Sequence, residues 1–209
     1  MLNKHLRFLL LFALACMVSA FGYAQSKDVA FENTVYKLIR AFEKNDYRTV
    51  NNYIHKNHKL VTIYRIGVAN NFSFLDSLDM DNMTQPTVMT NFKPVGGLPS
   101  GYKIKYGKLP EYDCGTDSWN KPSGLYTSRN QVDSVFTSAV RHFMEYEMEY
   151  VEKEAHITKK QHESYKDMER RSRKVYLLSD EGTLVFSLTW ITGKWYLTIL
   201  DGVAGDCSA

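Results

Sequence analysis

From Asp28 to Asn45 the apolar positions Phe31, Val35, Leu38, Ile39 and Phe42 recur three and four residues apart. This sets them on one stripe of a helix, with Glu32, Lys37, Arg40 and Glu43 outward. Asn45–Asp46 breaks the pattern, and Asp46 is a good N-cap for a second short helix in which Val50, Tyr53 and Ile54 share a face. The period then falls to two. Over 59–66, Leu60, Thr62, Tyr64 and Ile66 alternate with Val61, Ile63 and Arg65, and this β-branched and aromatic run predicts a strand ended by Gly67.

Residues 79–131 hold all five prolines and six of the twelve glycines and read as turns and loop. A structureless stretch of that length runs against ordinary loop lengths. A short hairpin is therefore expected in it, with Tyr102–Tyr106 as the first strand and Gly107–Lys108 near the turn. A helical block follows over 130–173. Val132, Phe136, Val140 and Phe143 form a core stripe continued by Tyr146, Tyr150 and Val151, and Thr158 to Gln161 reads as a capping box opening another helix. Residues 143–157 carry five Glu and one Lys, for −4, and 158–174 carry seven basic and three acidic residues, for +4. Two antiparallel helices would bring those charges together. One long solvated helix with local ion pairs is the alternative, since exposed pairs contribute under about 1 kcal/mol each.

The last part of the chain, 174–201, predicts an antiparallel meander: Lys174–Ser179, Thr183–Ile191 and Lys194–Leu200, separated by Asp180–Gly182 and by the two-residue turn Thr192–Gly193. Leu184, Phe186, Leu188 and Trp190 share one face of the middle strand. In the last strand Trp195, Leu197 and Ile199 are expected to oppose Tyr196, Thr198 and Leu200.

The order of helix, break, short helix, strand, helical block and meander is α+β. Ala41 to Asp46 and the run from Trp190 to Tyr196 (Trp-Ile-Thr-Gly-Lys-Trp-Tyr) resemble the two ends of the NTF2-like (cystatin-like, SnoaL-type) superfamily, whose closing strands carry W-x-x-G-K-W. The resemblance covers about 60 residues at the two ends of the chain. It implies N-terminal helices packed on a curved antiparallel sheet that leaves a cone-shaped cavity. The loop-rich middle and the charged helical block are additions to that fold. The superfamily includes isomerases, dehydratases, hydrolases and non-catalytic pocket domains, so the fold does not select a function. Its enzymes use a pocket Asp or His with Tyr, and no local motif maps those residues onto this chain.

Composition changes the picture at the N-terminus. Lys4 and Arg7 precede the apolar run 8–18, and Gly22 and Ala24 suit a cleavage site, so 1–24 reads as a signal peptide cut after Ala24. The run is about half the roughly 20 residues a hydrocarbon core requires, which argues against a membrane anchor. Cys16, after Ala13–Leu14–Ala15, resembles a lipobox and makes a lipoprotein the minor reading. The expected mature chain, 25–209, is one domain without a transmembrane segment, in the periplasm or secreted. Without Lys4 and Arg7 the chain has 24 basic and 23 acidic residues, which removes the electrostatic case for nucleic acid. Cleavage also leaves two cysteines, Cys114 and Cys207, in an oxidising compartment. A disulfide is the leading reading, against two free thiols or a metal pair.

Candidate chemistry is sparse. His55 and His58 lie one turn apart without a nearby carboxylate, and solvated turn histidines account for them more simply than a metal. His142 with Glu145 has the spacing of an acid/base pair, the weak catalytic candidates of this chain. Asp76, Asp79 and Asp81 match part of a calcium loop that lacks its glycine and its terminal Glu. Asn71–Phe72–Ser73 and Asn82–Met83–Thr84 match glycosylation sequons. Tyr64, Tyr102, Trp119, Trp190 and Trp195 are the candidates to line a small-molecule pocket, set against the ordinary use of aromatics as core. No metal and no cofactor is expected, and no nucleophile elbow, P-loop or dinucleotide fingerprint is present. The expected function is an exported non-catalytic binding or interaction domain for a small apolar ligand or an envelope protein. An exported SnoaL-type enzyme and an envelope assembly protein are the alternatives.

Overall fold

The computed structural model describes residues 27–79, 102–130, 134–180 and 182–207; the signal segment, Cys16, Asp81 and the second sequon lie outside them. The predicted stripe of the first helix, α1 (27–43), is fully used, with Phe31, Val35, Leu38 and Ile39 at 0% exposure. Asn45 closes α1 at φ +53. Its N–H returns to the Phe42 carbonyl at 3.1 Å and the Asp46 N–H returns to the Ala41 carbonyl at 2.8 Å, a Schellman closure. Asp46 opens α2 (Tyr47–Asn51), its carboxylate accepting from Thr49 N at 3.1 Å and Thr49 Oγ1 at 2.6 Å. The Asn–Asp break is thus a helix stop and a helix start in consecutive residues.

The strands are β1 (Leu60–Ile66), β2 (Ala69–Leu75), β3 (Ile104–Tyr106), β4 (Tyr112–Asp113), β5 (Ser118–Trp119), β6 (Gly124–Thr127), β7 (Ser172–Leu178), β8 (Thr183–Ile191) and β9 (Lys194–Asp201). Seven of them form one sheet in the order β2-β1-β9-β8-β7-β6-β3, and β4 pairs with β5 apart from it. The sheet is mostly antiparallel; β1 runs parallel to β9 and β3 parallel to β6. The fold is therefore α+β with a mixed sheet. Its helices are not gathered at the N-terminus, because α3 (Val135–His142) and α4 (Lys159–Arg170) stand between β6 and β7. One sheet face shares a cluster with α1, through Leu125, Val175, Leu177, Leu184, Phe186, Leu188, Trp195 and Leu197. The other carries two clusters. Val61, Ile63 and Ile199 pack with Phe136, Val140, Ile157 and Met168 of the helical block, while Tyr126, Tyr176, Leu178 and Val185 pack with Leu109 and Trp119.

Several expectations need correction. The strand within Tyr102–Tyr106 is present as β3, but no hairpin turns at Gly107–Lys108. Gly107 N instead donates to Thr127 O at 3.0 Å and the strand lies parallel to β6. The hairpin of this region is β4–β5, which carries Cys114 in its turn. Strand β2 was not anticipated at all. The helical block is two helices side by side joined by irregular backbone: a π-helical turn over Phe143–Glu147 and 3-10 turns over Met148–Tyr150 and Lys153–Ala155. Tyr146 and Tyr150, expected on a core stripe, are therefore exposed. The Thr158–Gln161 capping box opens α4 as predicted, with both reciprocal hydrogen bonds. Ser134 makes no side-chain cap for α3. Buried Glu169 of α4 replaces it, its two carboxylate oxygens accepting from Phe136 N at 2.9 Å and Thr137 N at 3.0 Å. The charge division does not pair across the block in these contacts, since Lys166–Glu163, Arg170–Asp167 and Arg171–Asp167 close within the basic segment.

The meander matches its predicted strands, and Thr192 and Gly193 both take positive φ, as a two-residue hairpin turn requires. The expected alternation in β9 fails after Leu197. A bulge shifts the β8 register from Ser187↔Ile199 to Leu188↔Leu197, which leaves Thr198 as the extra residue. Ile199 consequently joins the helical-block face and Leu200 the α1 face. Fully buried Thr198 is satisfied by Thr189 Oγ1 at 2.7 Å, which meets Ser172 Oγ at 2.6 Å, so the bulge is tied into a hydroxyl chain.

Thr62 differs. Its side-chain oxygen is buried in β1 and has no hydrogen-bond partner among the described residues, which carries a desolvation cost of about 1–3 kcal/mol. Thr62→Val keeps the shape and removes the hydroxyl. The expected result is an unchanged or higher urea midpoint at constant m-value, and a drop of about 1 kcal/mol or more would contradict it.

Candidate functional site

The helical block does not close completely over the sheet. Between β1–β2 and the segment 143–168 lies a cleft of about 840 Å³. Its apolar surface comes from Val61, Phe72 and Phe74 of the sheet and from Phe143, Ile157, Tyr165 and Met168 opposite. The rings interlock around it: Phe72 stands edge-on to Phe143 at 5.8 Å and to Phe136 at 5.6 Å, and Phe74 lies 5.5 Å from Tyr165. The polar rim contains His58, Lys59, Asn70 and Tyr64 on the strand side and Glu147, Glu154, His156 and Gln161 on the block side. An apolar floor with a few polar groups at its edge is the usual chemistry of a small-molecule or peptide site.

The irregular backbone of 143–157 shapes one wall. Because Phe143–Glu147 is a π-helical turn, the carboxylate facing His142 is five residues on: Glu147 Oε1 lies 3.5 Å from His142 Nε2. Glu145, the expected partner, is exposed, and of these two acids Glu147 is the one that lines the cleft. On the strand side, burial pushes the His58 imidazole below its ordinary value, and His55 and Arg171 add repulsion, so His58 is a neutral rim group near pH 7. His55 and His58 rings are 4.9 Å apart, and His55 packs on Tyr196. Among the described residues no group of three His, Cys, Asp or Glu side chains is placed to hold a metal ion.

The other aromatic candidates go elsewhere. Of the five, Tyr64 lines the cleft. Tyr102 is half-buried ahead of β3. Trp119 stands edge-on to Tyr112 and Tyr176 at 5.0 and 5.7 Å. Trp190 and Trp195 meet edge-on at 5.3 Å, and Trp195 meets Phe31 at 5.0 Å in the α1 cluster. The cleft residues that sequence reading missed, Phe72, Phe74 and Tyr165, come from β2 and α4. Phe72 and Phe74 alternate two apart, the one signal that would have identified them.

Around the start of α1 the aromatics meet charges. Asp28 accepts from Arg173 Nη1 at 2.6 Å and Arg129 Nη2 at 3.0 Å, Arg129 lies over the Tyr106 ring at 3.9 Å, and Tyr106 donates to Glu32 at 2.9 Å. Burial and the Glu32 hydrogen bond push the Tyr106 hydroxyl well above its ordinary range. Burial alone would raise the Asp28 carboxyl; the Arg173 hydrogen bond and charge, with Arg129 behind them, outweigh it and hold Asp28 below the usual carboxylate value. A depressed folded-state value means that Asp28 contributes stability above its unfolded value of about 3.9, and that this stability is lost as pH falls through the folded value. Asp28→Asn should therefore lower the urea midpoint at neutral pH, with the gap from wild type closing well below about pH 3.9. A gap independent of pH would contradict this.

Cys114 and Cys207 are joined in a disulfide with their Cα atoms 5.7 Å apart, consistent with an oxidising compartment. Among the described residues no helix is long and apolar enough to cross a membrane. Comparison with protein-family models, with curated proteins and with solved structures finds no match to this chain.

Proposed function

We propose that this protein is an exported, non-catalytic binding domain of NTF2-like type whose occupant sits in the cleft between β1–β2 and the helical block. The observation that carries the reading is the cleft itself, about 840 Å³ floored by Phe72, Phe74 and Phe143 with polar groups at the rim. Two further observations support it. Ala41 and Phe42 of the first segment that carries the family resemblance share one buried cluster with Trp195 of the second, and the disulfide fits an exported chain. Tyr106 donates to Glu32 beside α1, and neither residue lines the cleft.

Nile red, an uncharged apolar dye, tests the reading. It should bind the folded protein with a blue-shifted emission that Phe74→Asp abolishes, while far-UV circular dichroism shows the variant still folded. Binding that survives in a folded Phe74→Asp variant would place the dye elsewhere and remove the proposed site. Leu75→Asp, on the neighbouring strand position that does not line the cleft, serves as the control.

A further inference from the structure

Strand β2 ends the sheet and pairs on one side, with β1. The turn joining them has two residues, Gly67–Val68, between the partners Ile66 and Ala69, and Gly67 has φ +75. That is the II′ geometry, in which the flanking pair is hydrogen-bonded. Bonded pairs then alternate along the ladder, so the backbone groups of Ala69, Asn71, Ser73 and Leu75 face β1 and those of Asn70, Phe72 and Phe74 face away. Among the described residues no backbone group meets this outer row.

The two edges of the sheet differ. At the far edge β3 is three residues long and carries Lys105, with Lys103 just before it, the ordinary protection of an exposed edge. Strand β2 is seven residues long, Ala-Asn-Asn-Phe-Ser-Phe-Leu, with no charge and no proline. Its hairpin tip adds two exposed apolar residues, Ile66 and Val68. The cleft opens along this same strand: Asn70, Phe72 and Phe74 line it. Residues of an added strand opposite Phe72 and Phe74 would share their sheet face and so place alternate side chains in the cleft.

Charge selects the occupant. The acidic lining residues on the block side are Glu147 and Glu154, within a segment of net −4. On the strand side Lys59 is held by Asp76 at 3.3 Å. A second copy docked β2 to β2 would set two such acidic walls against each other, whereas a basic segment is attracted. We infer that β2 is a docking edge for an extended segment of a partner protein, which joins the sheet as an eighth strand. Its alternate apolar side chains enter the cleft, and Lys or Arg flanks them. This rests on the cleft being the binding site.

The probe is a small library of capped heptapeptides, Lys-Thr-X-Thr-X-Thr-Lys with Val, Leu or Phe at X, so that Lys and X share the cleft face, titrated into the full mature chain and followed by amide hydrogen exchange. The tightest member should slow exchange at Asn70, Phe72 and Phe74 about tenfold or more and leave Asn71 and Ser73 unchanged. N-methylation of its backbone at alternate residues, in each of the two phases, should weaken binding about tenfold or more in one phase and little in the other. Replacing its Lys by Glu should weaken it further. Equal effects of both methylation phases, no selective protection of those three amides, or tighter binding of the Glu peptides would overturn the inference. So would protection of the three amides in the free protein: growing with concentration, it would place a second copy on the edge, and independent of concentration, a segment of the same chain. Nile red separates the two ideas, since dye binding in the cleft without peptide docking removes the edge and keeps the binding site.

Discussion

Lys174→Met is expected to destabilise the protein by about 3–5 kcal/mol, read from urea unfolding. Lys174 lies on β7 and its partner Asp201 at the end of β9, with β8 between them. The lysine spans that gap over Ser187, its small cross-strand neighbour, and Nζ reaches Asp201 Oδ2 at 2.5 Å. Both side chains are nearly excluded from water, at 7% and 2% exposure, so removing the cation leaves a carboxylate that solvent cannot reach. Asp201 has a second task, because its Oδ1 accepts from Val203 N and Ala204 N, each at 3.0 Å, and turns the chain out of β9. An asparagine can keep that acceptor without the charge. The double variant Lys174→Met/Asp201→Asn should therefore recover most of the loss, because a charge-free pair of similar volume escapes the desolvation penalty. A double variant as unstable as the single one would show that the lysine stem, not the charge, holds this place.

How much of this was legible before folding follows from how local each signal is. The α1 stripe, the Asn45–Asp46 break, the Thr158 capping box and the Thr192–Gly193 turn are decided within a few residues, and each appears where the pattern puts it. Strand β2 stayed hidden because Asn70 and Asn71 have poor strand propensity, and only its pairing with β1 overrides them. The bulge at Thr198 inverts the face of Ile199 through a buried hydroxyl chain whose members are far apart in sequence. The acid opposite His142 moved from Glu145 to Glu147 because a π-helical turn adds a residue to the period. The candidate site compounds these failures. Phe72, Phe143 and Tyr165 meet through the packing of an unanticipated strand on an irregular segment and a separate helix. The disulfide is the exception, a long-range contact legible from counting cysteines alone.

Breaking that disulfide, by Cys114→Ser with Cys207→Ser, is expected to cost on the order of 4–5 kcal/mol, because it releases a loop with a sequence separation of 93 residues in the unfolded chain. Against a total stability of about 5–15 kcal/mol for ordinary domains, this leaves a marginal fold. The native-state consequence is local and can be read separately. The start of the tail after β9 is held by Gly202 N on the Ile63 carbonyl at 2.9 Å, by Val203 in the helical-block cluster and by Asp201 on Val203 and Ala204; its end is held by Arg65 Nη1 on the Asp206 carbonyl at 3.0 Å, the packing of Gly205 against Trp119 and the covalent link to the β4–β5 turn. Gly205 has φ +85 and lies so close that a Cβ would meet the Trp119 ring at 2.9 Å, so the tail covers that indole. Without the covalent link the tail should lift, exposing Trp119 and giving a red-shifted emission that Trp119→Phe removes, while Trp190 and Trp195 remain packed at α1. Intact mass with and without reductant, differing by two protons, first establishes that the wild-type bond is formed. Because Asp201 and Cys207 secure the same short tail, loss of both should be non-additive: once the tail has lifted, the hydrogen bonds from Val203 and Ala204 are already gone. Strict additivity between Asp201→Ala, which removes that acceptor, and the cysteine pair would mean that the tail hydrogen bonds and the bridge are energetically independent, and that the bridge acts through the unfolded chain alone.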